Sequence, residues 1–345
     1  MTSARRRIAR AIVPAVLAGV ALTACSGDDL DYSDDWSSTD VLAVVEREDG
    51  LVLVGIDPRD GTAAPLAPIP DLRLSQSNRP ESAVLRAGGS VYVVATAGGD
   101  DGQLLRVDFD NHELTRVAAL SLARLPVVDA DGLVAVGGSE ESFQFQRFRL
   151  PDVISDAPRP LGMTPVASDG HCLVGLIGDV AAPHIGFVGL GHDHAEPLDL
   201  GPGVPGGVAC DNDLAVVSVS GVMAGDSIPT PGATVVVVRP GGQTSSVPVD
   251  GQPNQVALNA DGSVAAVSIS SQQGPSVQFV DPGAARTLSP DPIPLGLQPE
   301  AMLVQENALV AIGGNEATVV PIGGGDPITI RLPGMNTTTA LGVTS

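Results

Sequence analysis

Gln255-Val-Ala-Leu-Asn-Ala-Asp-Gly-Ser-Val-Ala-Ala-Val-Ser-Ile-Ser270 holds two apolar strands joined across Asp261-Gly262. Glycine reaches the positive φ that a tight hairpin turn requires, and Val, Leu and Ile suit a pleated strand. The unit recurs along the chain. Its second strand aligns with Val41-Leu-Ala-Val44, Val91-Tyr-Val-Val94, Leu133-Val-Ala-Val136, Leu173-Val-Gly-Leu176, Leu214-Ala-Val-Val217, Val264-Ala-Ala-Val267 and Leu309-Val-Ala-Ile312. Subtracting these positions gives intervals of 50, 42, 40, 41, 50 and 45 residues. Short strands at a period of about 40–50 residues are the signature of a β-propeller with four strands per blade.

A third strand follows each second one, as in Leu51–Ile56, Thr234–Val238 and Ser276–Val280. Asp57-Pro58, Arg239-Pro240-Gly241 and Asp281-Pro282-Gly283 supply turn chemistry after it. A fourth, more polar strand, such as Glu113–Ala118 or Pro327–Arg331, suits the outer edge of a blade. No apolar strand precedes Val41, and the C-terminus offers a spare one, Thr337–Val343. The expected fold is therefore all-β: a seven-bladed propeller of four antiparallel strands per blade. Its C-terminal strand joins the first blade and closes the ring. The 41 glycines and 29 prolines fall between strands, so they mark turns within one domain spanning 41–345.

The N-terminus has the order of a targeting segment. Arg5-Arg6-Arg7 and Arg10 form a charged head, and Ala11–Ala21 is an apolar run short for a bilayer span. Leu22-Thr23-Ala24-Cys25 resembles the lipobox of bacterial lipoproteins. That resemblance implies a signal peptide over 1–24, lipidation of Cys25 and a cell-membrane protein anchored by lipid on the extracytoplasmic side. Residues 25–40 then read as the lipidated cysteine and a flexible acidic tether, with Trp36 part of that tether or else docked on the propeller or at the membrane interface. Fifteen extended residues would reach roughly 50 Å.

The formal charge is −22. Residues 1–24 hold four arginines and no acid, so the remainder stands at −22 − 4 = −26. With no lysine anywhere, such a surface repels phosphate backbones, and nucleic acid is excluded as a partner. No cofactor motif is present. The chain carries no oligomer signal, and the domain is expected to be monomeric.

Four of the five histidines, His171, His184, His192 and His194, fall in the fourth blade. His192 and His194 lie at i and i+2, on one side of an extended segment, and are the candidate metal ligands, with His184 or Asp193 as a third. The competing reading is solvated histidines in the loop between the third and fourth strands. Cys172 and Cys210 flank equivalent turns of neighbouring blades. They form a disulfide if their Cα atoms come within about 7 Å, and otherwise stand as two buried thiols. Asp-Gly turns superficially resemble calcium loops but lack the later ligands. The segments leading into the innermost strands bring Arg79, Glu81, Arg124, Asn254 and Glu300 toward one mouth of the central channel. They are the candidate binding residues of that face, or simply caps of a wet channel. No catalytic residue is assigned.

The strand–Asp-Gly–strand unit, with Pro253 before it and Val280-Asp281-Pro282 after it, resembles the YVTN-type and lactonase-like seven-bladed propellers of bacteria. The likeness is sharpest over 252–296. No Tyr-Val-Thr-Asn tetrapeptide, kelch aromatics or Trp-Asp signature is present. The primary expectation is a membrane-anchored lipoprotein whose propeller binds a protein partner or acts as a non-catalytic scaffold. The alternatives are a lactonase-like hydrolase, which needs convergent His, Arg and carboxylates on the axis, and a small-ligand or metal-binding module. Aromatic residues at 3% argue against stacked sugar platforms.

Overall fold

The computed structural model describes residues 30–343 apart from 37–38, 49, 75–83, 88–89, 99–100, 121–126, 130–131, 140–141, 150–153, 156–158, 170, 179–181, 190–196, 212–213, 223–229, 290, 306 and 333–338. The strands fall into antiparallel sheets that follow one another along the chain. The first holds β1 (Val41–Arg47), β2 (Gly50–Asp57) and β3 (Thr62–Pro70). The second holds β4 (Val84–Ala87), β5 (Ser90–Gly98), β6 (Asp101–Asp108) and β7 (Glu113–Leu120). In the third are β8 (Val127–Asp129), β9 (Gly132–Ser139) and β10 (Ser142–Arg149), with β11 (Ile154–Ser155) and β12 (Arg159–Pro160) both pairing β10. The fourth comprises β13 (Thr164–Ser168), β14 (Cys172–Ile177), β15 (His184–Gly189) and β16 (Leu198–Pro202).

The fifth sheet comprises β17 (Val204–Cys210), β18 (Ala215–Val222), β19 (Thr230–Arg239) and β20 (Gln243–Pro248). In the sixth are β21 (Gln252–Leu258), β22 (Ala265–Ser271) and β23 (Gly274–Asp281), with β24 (Arg286–Thr287) and β25 (Ile293–Pro294) on β23. The seventh holds β26 (Ala301–Gln305), β27 (Ala308–Gly313), β28 (Glu316–Pro321) and β29 (Ile328–Arg331). A last strand, β30 (Thr339–Val343), pairs antiparallel with β1, Val41 opposite Val343 and Val45 opposite Thr339.

Among the described residues, the inner strands of the first, fourth, fifth, sixth and seventh sheets bury both faces, which explains their unbroken apolar runs. Along β1 and β2, Leu42, Val44, Leu51 and Leu53 pack with Val91, Val93 and Leu105 of the second sheet. Val41, Ala43, Val45, Val52, Val54 and Ile56 point the other way and pack with Val310, Ile312 and Val319 of the seventh. The outer strand is different. β3 carries Pro65, Pro68 and Pro70 and is mostly half-buried or exposed, as an edge that must resist further pairing should be.

Acidic and amide side chains shape the turns. After the third strand, Asp57 Oδ1 accepts N–H bonds from Arg59 (2.9 Å) and Asp60 (3.3 Å), Asp108 Oδ1 from Asn111 (3.0 Å), and Asp281 Oδ1 from Ala284 (2.9 Å). Four residues on from each Asp, the backbone turns left-handed, at Gly61 (φ 65°), His112 (φ 55°) and Ala285 (φ 50°). The turn at Asp261-Gly262 is wider than the tight hairpin expected. Asn259 N–H reaches Val264 O (3.0 Å), Asn259 Oδ1 accepts from Val264 N–H (2.8 Å), and Gly262 sits at φ 70°. An Asn that caps its own loop makes a two-residue turn unnecessary.

The segment 25–40, expected to be a free tether, is docked over part of its length. Trp36 is only 3% exposed. Its ring stacks on His112 (5.5 Å, 21°) and meets Phe109 edge-on (6.0 Å), while Nε1–H donates to Ser33 O (3.1 Å). Ser33 N–H donates to Pro65 O (2.8 Å), and Leu30 and Tyr32 pack against the cluster shared by the first and seventh sheets. One large ring buried between the first two sheets outweighs the solvated acids around it. Trp36→Ala is expected to lower unfolding free energy by about 3 kcal/mol and to open residues 30–36 to protease. Urea unfolding and limited proteolysis check both.

Candidate functional site

Among the polar groups buried inside this apolar stack, Ser218, Gln255 and Ser268 lie at the irregular starts of two first strands. β17 and β21 each carry a bulge near their start, between Pro205 and Val208 and between Pro253 and Val256. A serine from the neighbouring strand fills each one. Gly207 N–H donates to Ser218 Oγ (2.7 Å), and Gln255 N–H donates to Ser268 Oγ (2.9 Å). Ser218 Oγ–H also reaches Asn254 O in the next sheet. Gln255 Nε2 then donates to Glu300 O (2.6 Å), one sheet further on. The fifth, sixth and seventh sheets are thus stitched together near one mouth by side chain to backbone bonds.

Asn254 and Glu300, both expected at the channel mouth, belong to this network. Asn254 Nδ2 donates to Ser270 Oγ (2.8 Å), and Glu300 Oε1 accepts from Gly314 N–H (3.4 Å). They are linked through Gln255. Ser270 also lines an open groove of about 490 Å³ with Gly232, Gly251, Gln252, Ser271 and Gln272. Gln252 Nε2 spans its floor to Ser220 O (3.2 Å). Gly251 holds φ 137°, a conformation that leaves the position to glycine. Ala233 completes the lining, whose surface is mostly apolar; Gln252, Gln272, Ser270 and Ser271 supply its polar groups, and none of the lining residues is charged.

The other expected residues divide as follows. Arg79, Glu81, Arg124, His192, His194 and Cys25 lie outside the described residues. The strands that bound residues 190–196, β15 and β16, are the third and fourth of their sheet. His184 Nδ1 pairs with Asp199 (2.9 and 2.8 Å to the two oxygens). The Gly201 N–H on Asp199, and then His184, hold that carboxyl below its usual range. This fixes Nδ1 toward Asp199 and turns Nε2 outward, the arrangement a metal-binding imidazole uses. Ser218, Ser268 and Gln255 were not anticipated. Their signal was legible as Val217-Ser-Val-Ser220 and Val267-Ser-Ile-Ser270, the same polar position in two repeats.

At the opposite end of the first strands, Cys172 and Cys210 are joined in a disulfide with Cα atoms 6.1 Å apart. It ties the fourth sheet to the fifth. Asp169 lies beside it. One carboxylate oxygen accepts N–H bonds from His171 (2.7 Å) and Cys172 (2.8 Å), and the other from Cys210. Desolvation nonetheless pushes this carboxyl above its ordinary value, against the pull of His171 and the three N–H donors.

No family model matches the chain, and neither does any curated protein sequence. Solved structures do match. A candidate 6-phosphogluconolactonase from Bacteroides fragilis superposes with a TM-score of 0.61 at 13% identity, covering 91% of this chain and 100% of that one. A second, from Bacteroides uniformis, gives 0.61 at 14%, covering 88% and 100%. The periplasmic gluconolactonase of Pseudomonas aeruginosa gives 0.57 at 14%, covering 88% and 99%. The fold is a β-propeller. At this identity the likeness speaks for architecture, and the site must be argued from its own residues.

Two substitutions probe the two ends. Ser218→Ala leaves the buried Gly207 N–H without a partner and is expected to lower unfolding free energy by about 1–3 kcal/mol, read from urea midpoints. At Asp169 the ionised form is the disfavoured one in the fold. Its contribution to stability is therefore full below the unfolded carboxyl value of about 4 and is lost as pH rises through the raised folded value. Relative to Asp169→Asn, wild type should gain stability as pH is lowered from 7 toward 4, and parallel urea curves across that range would sink the assignment.

Proposed function

We propose that the seven sheets are the blades of one closed ring, exported and held at the membrane by lipid on Cys25. In this reading the ring binds a sugar acid or its lactone at the channel mouth and hydrolyses the lactone. What supports closure is the order of neighbours. β4 lies beside β8, β8 beside β14 of the fourth sheet, β13 beside β17, β17 beside β21, β21 beside β26, and β26 beside β30, which lies beside β4. What supports export is the Cys172–Cys210 disulfide, a bond that persists in oxidising compartments.

The activity rests on one observation, a whole-chain likeness to solved structures described as gluconolactonases, and the uncharged groove beside Asn254 is where this reading puts the ligand. Few aromatics are needed, because recognition here runs through amides and hydroxyls. Asn254, Gln252 and Ser270 would hold ligand hydroxyls. Glu300, the carboxylate tied into this network, would take the proton of the attacking water. Opening a lactone requires only that water add to the carbonyl and the ring oxygen leave with a proton, so no cofactor is called for. The scaffold reading drawn from the tether and the acidic surface gains no support from the fold comparison and stands second.

The test is turnover on a panel of aldonolactones, glucono-δ-lactone and its 6-phosphate included, followed by proton release. Glu300→Gln is expected to lower kcat at least about 100-fold, the usual worth of a general base, and Asn254→Ala to raise KM. Saturable aldonate binding without turnover would reduce the reading to a binding module. Neither binding nor turnover would return the scaffold reading to first place.

A further inference from the structure

Cys172 opens β14 and Cys210 closes β17, so the disulfide crosses the seam between two sheets. A structural bridge needs nothing more. Yet a half-buried carboxylate sits against it. Asp169 takes the backbone N–H groups of both cysteines, one on each oxygen, which holds the carboxylate beside the bridge. A carboxylate oxygen of Asp169 and the two Sγ atoms all lie within 4.8 Å of one another. If the bridge opens, the two sulfurs become thiols with the carboxylate already beside them. Ionising all three places three negative charges in a half-buried site, an arrangement that calls for a cation.

We propose that Cys172–Cys210 is the oxidised form of a redox-gated metal site, in which Cys172, Cys210 and Asp169 bind one thiophilic divalent ion such as Zn²⁺ once the bridge is reduced. The reductant is a dithiol. Its two thiols become a disulfide, and the two electrons and two protons it gives up convert the Cys172–Cys210 bond into two thiols. The ion then displaces those two protons, with no change in its own oxidation state. Two thiolates select zinc-like ions over Ca²⁺ or Mg²⁺. A tetrahedral ion with bonds of about 2.0–2.3 Å spreads its ligands to roughly 3.3–3.8 Å, inside the present envelope. Three protein ligands leave the fourth position to water. Cys172 is sealed, so the ion enters from the half-buried side of Cys210 and Asp169. While oxidised, the sulfurs are bonded to each other and the site is shut.

The test uses the chain with Cys25→Ser, which removes the remaining thiol, and Co²⁺ as a spectroscopic stand-in. After reduction by a phosphine, one equivalent of Co²⁺ should give sulfur-to-cobalt charge-transfer and tetrahedral d–d bands, and Zn²⁺ should bleach them. The oxidised protein should give neither, and Zn²⁺ should raise the Tm of the reduced form only. Asp169→Asn should weaken binding about tenfold or more while keeping the sulfur bands. The proposal fails if the reduced protein stays folded, by near-ultraviolet circular dichroism, and shows no cobalt bands. It also fails if Zn²⁺ leaves the reduced Tm unchanged, or if the bands survive in Cys172→Ser/Cys210→Ser.

Discussion

The inner strands of the described sheets are buried on both sides, and much of the rest of the structure follows from that demand. Successive residues of a strand point to opposite faces, so a strand with both faces buried needs apolar residues at every position. β1 meets the condition over Val41–Val45, none of which is exposed, and β22 over Ala265–Ile269, at most 2% exposed, with Ser268 the one polar residue in the run. The alternation is still there, but it sorts residues between two cores. Ala265, Val267 and Ile269 face the fifth sheet, and Ala266 faces the seventh with Leu309 and Ala311. Small aliphatic side chains let sheets stack closely. This is why a chain with 3% aromatic residues still builds a continuous core.

With both faces of each sheet occupied, chemistry is confined to strand ends and seams. The polar side chains described inside the stack obey this rule. Ser218, Ser268 and Gln255 are almost wholly buried, and each satisfies a backbone group at a bulge or across a seam. Arg239 does the same at the outer rim, where Nη2 donates to Pro282 O (2.7 Å) in the neighbouring sheet. An unpaired polar group there would cost about 1–3 kcal/mol, and the donors of these side chains are matched, while Gln255 Oε1 is left without a protein partner. The same bonds fix the geometry around the groove that Ser270 and Gln252 line.

Much of the fold was legible because two-sided burial writes a strong signal. The seven aligned segments fall in, or begin one residue before, the second strand of their sheets. Thr62–Pro70 was harder, since an edge strand with three prolines resembles a linker in composition. Residues 30–40 misled for a similar reason. Asp and Ser dominate the average, but a docked segment needs only one anchor, and composition cannot reveal that Trp36 finds a slot between His112 and the first two sheets. At the mouth, Asn254 and Glu300 were read from the prolines that precede innermost strands. The serines were missed, because Ser within a Val-rich strand reads as a solvent-facing position when it is in fact filling a bulge.

The two ends of the first strands differ in kind, and the difference bears on what each can do. Near the bulges of β17 and β21 the polar groups are amides, hydroxyls and one carboxylate, Glu300, shared among three sheets, and Ser270 and Gln252 open to a groove, which favours exchange with a soluble ligand. At the other end a carboxylate and a disulfide are enclosed within one seam, with three N–H groups directed at the charge. Reorganising the mouth requires only side-chain and loop movement. Reorganising the seam means altering the covalent tie between the fourth and fifth sheets. A ligand that comes and goes belongs at the first, and a slow, chemically gated change belongs at the second.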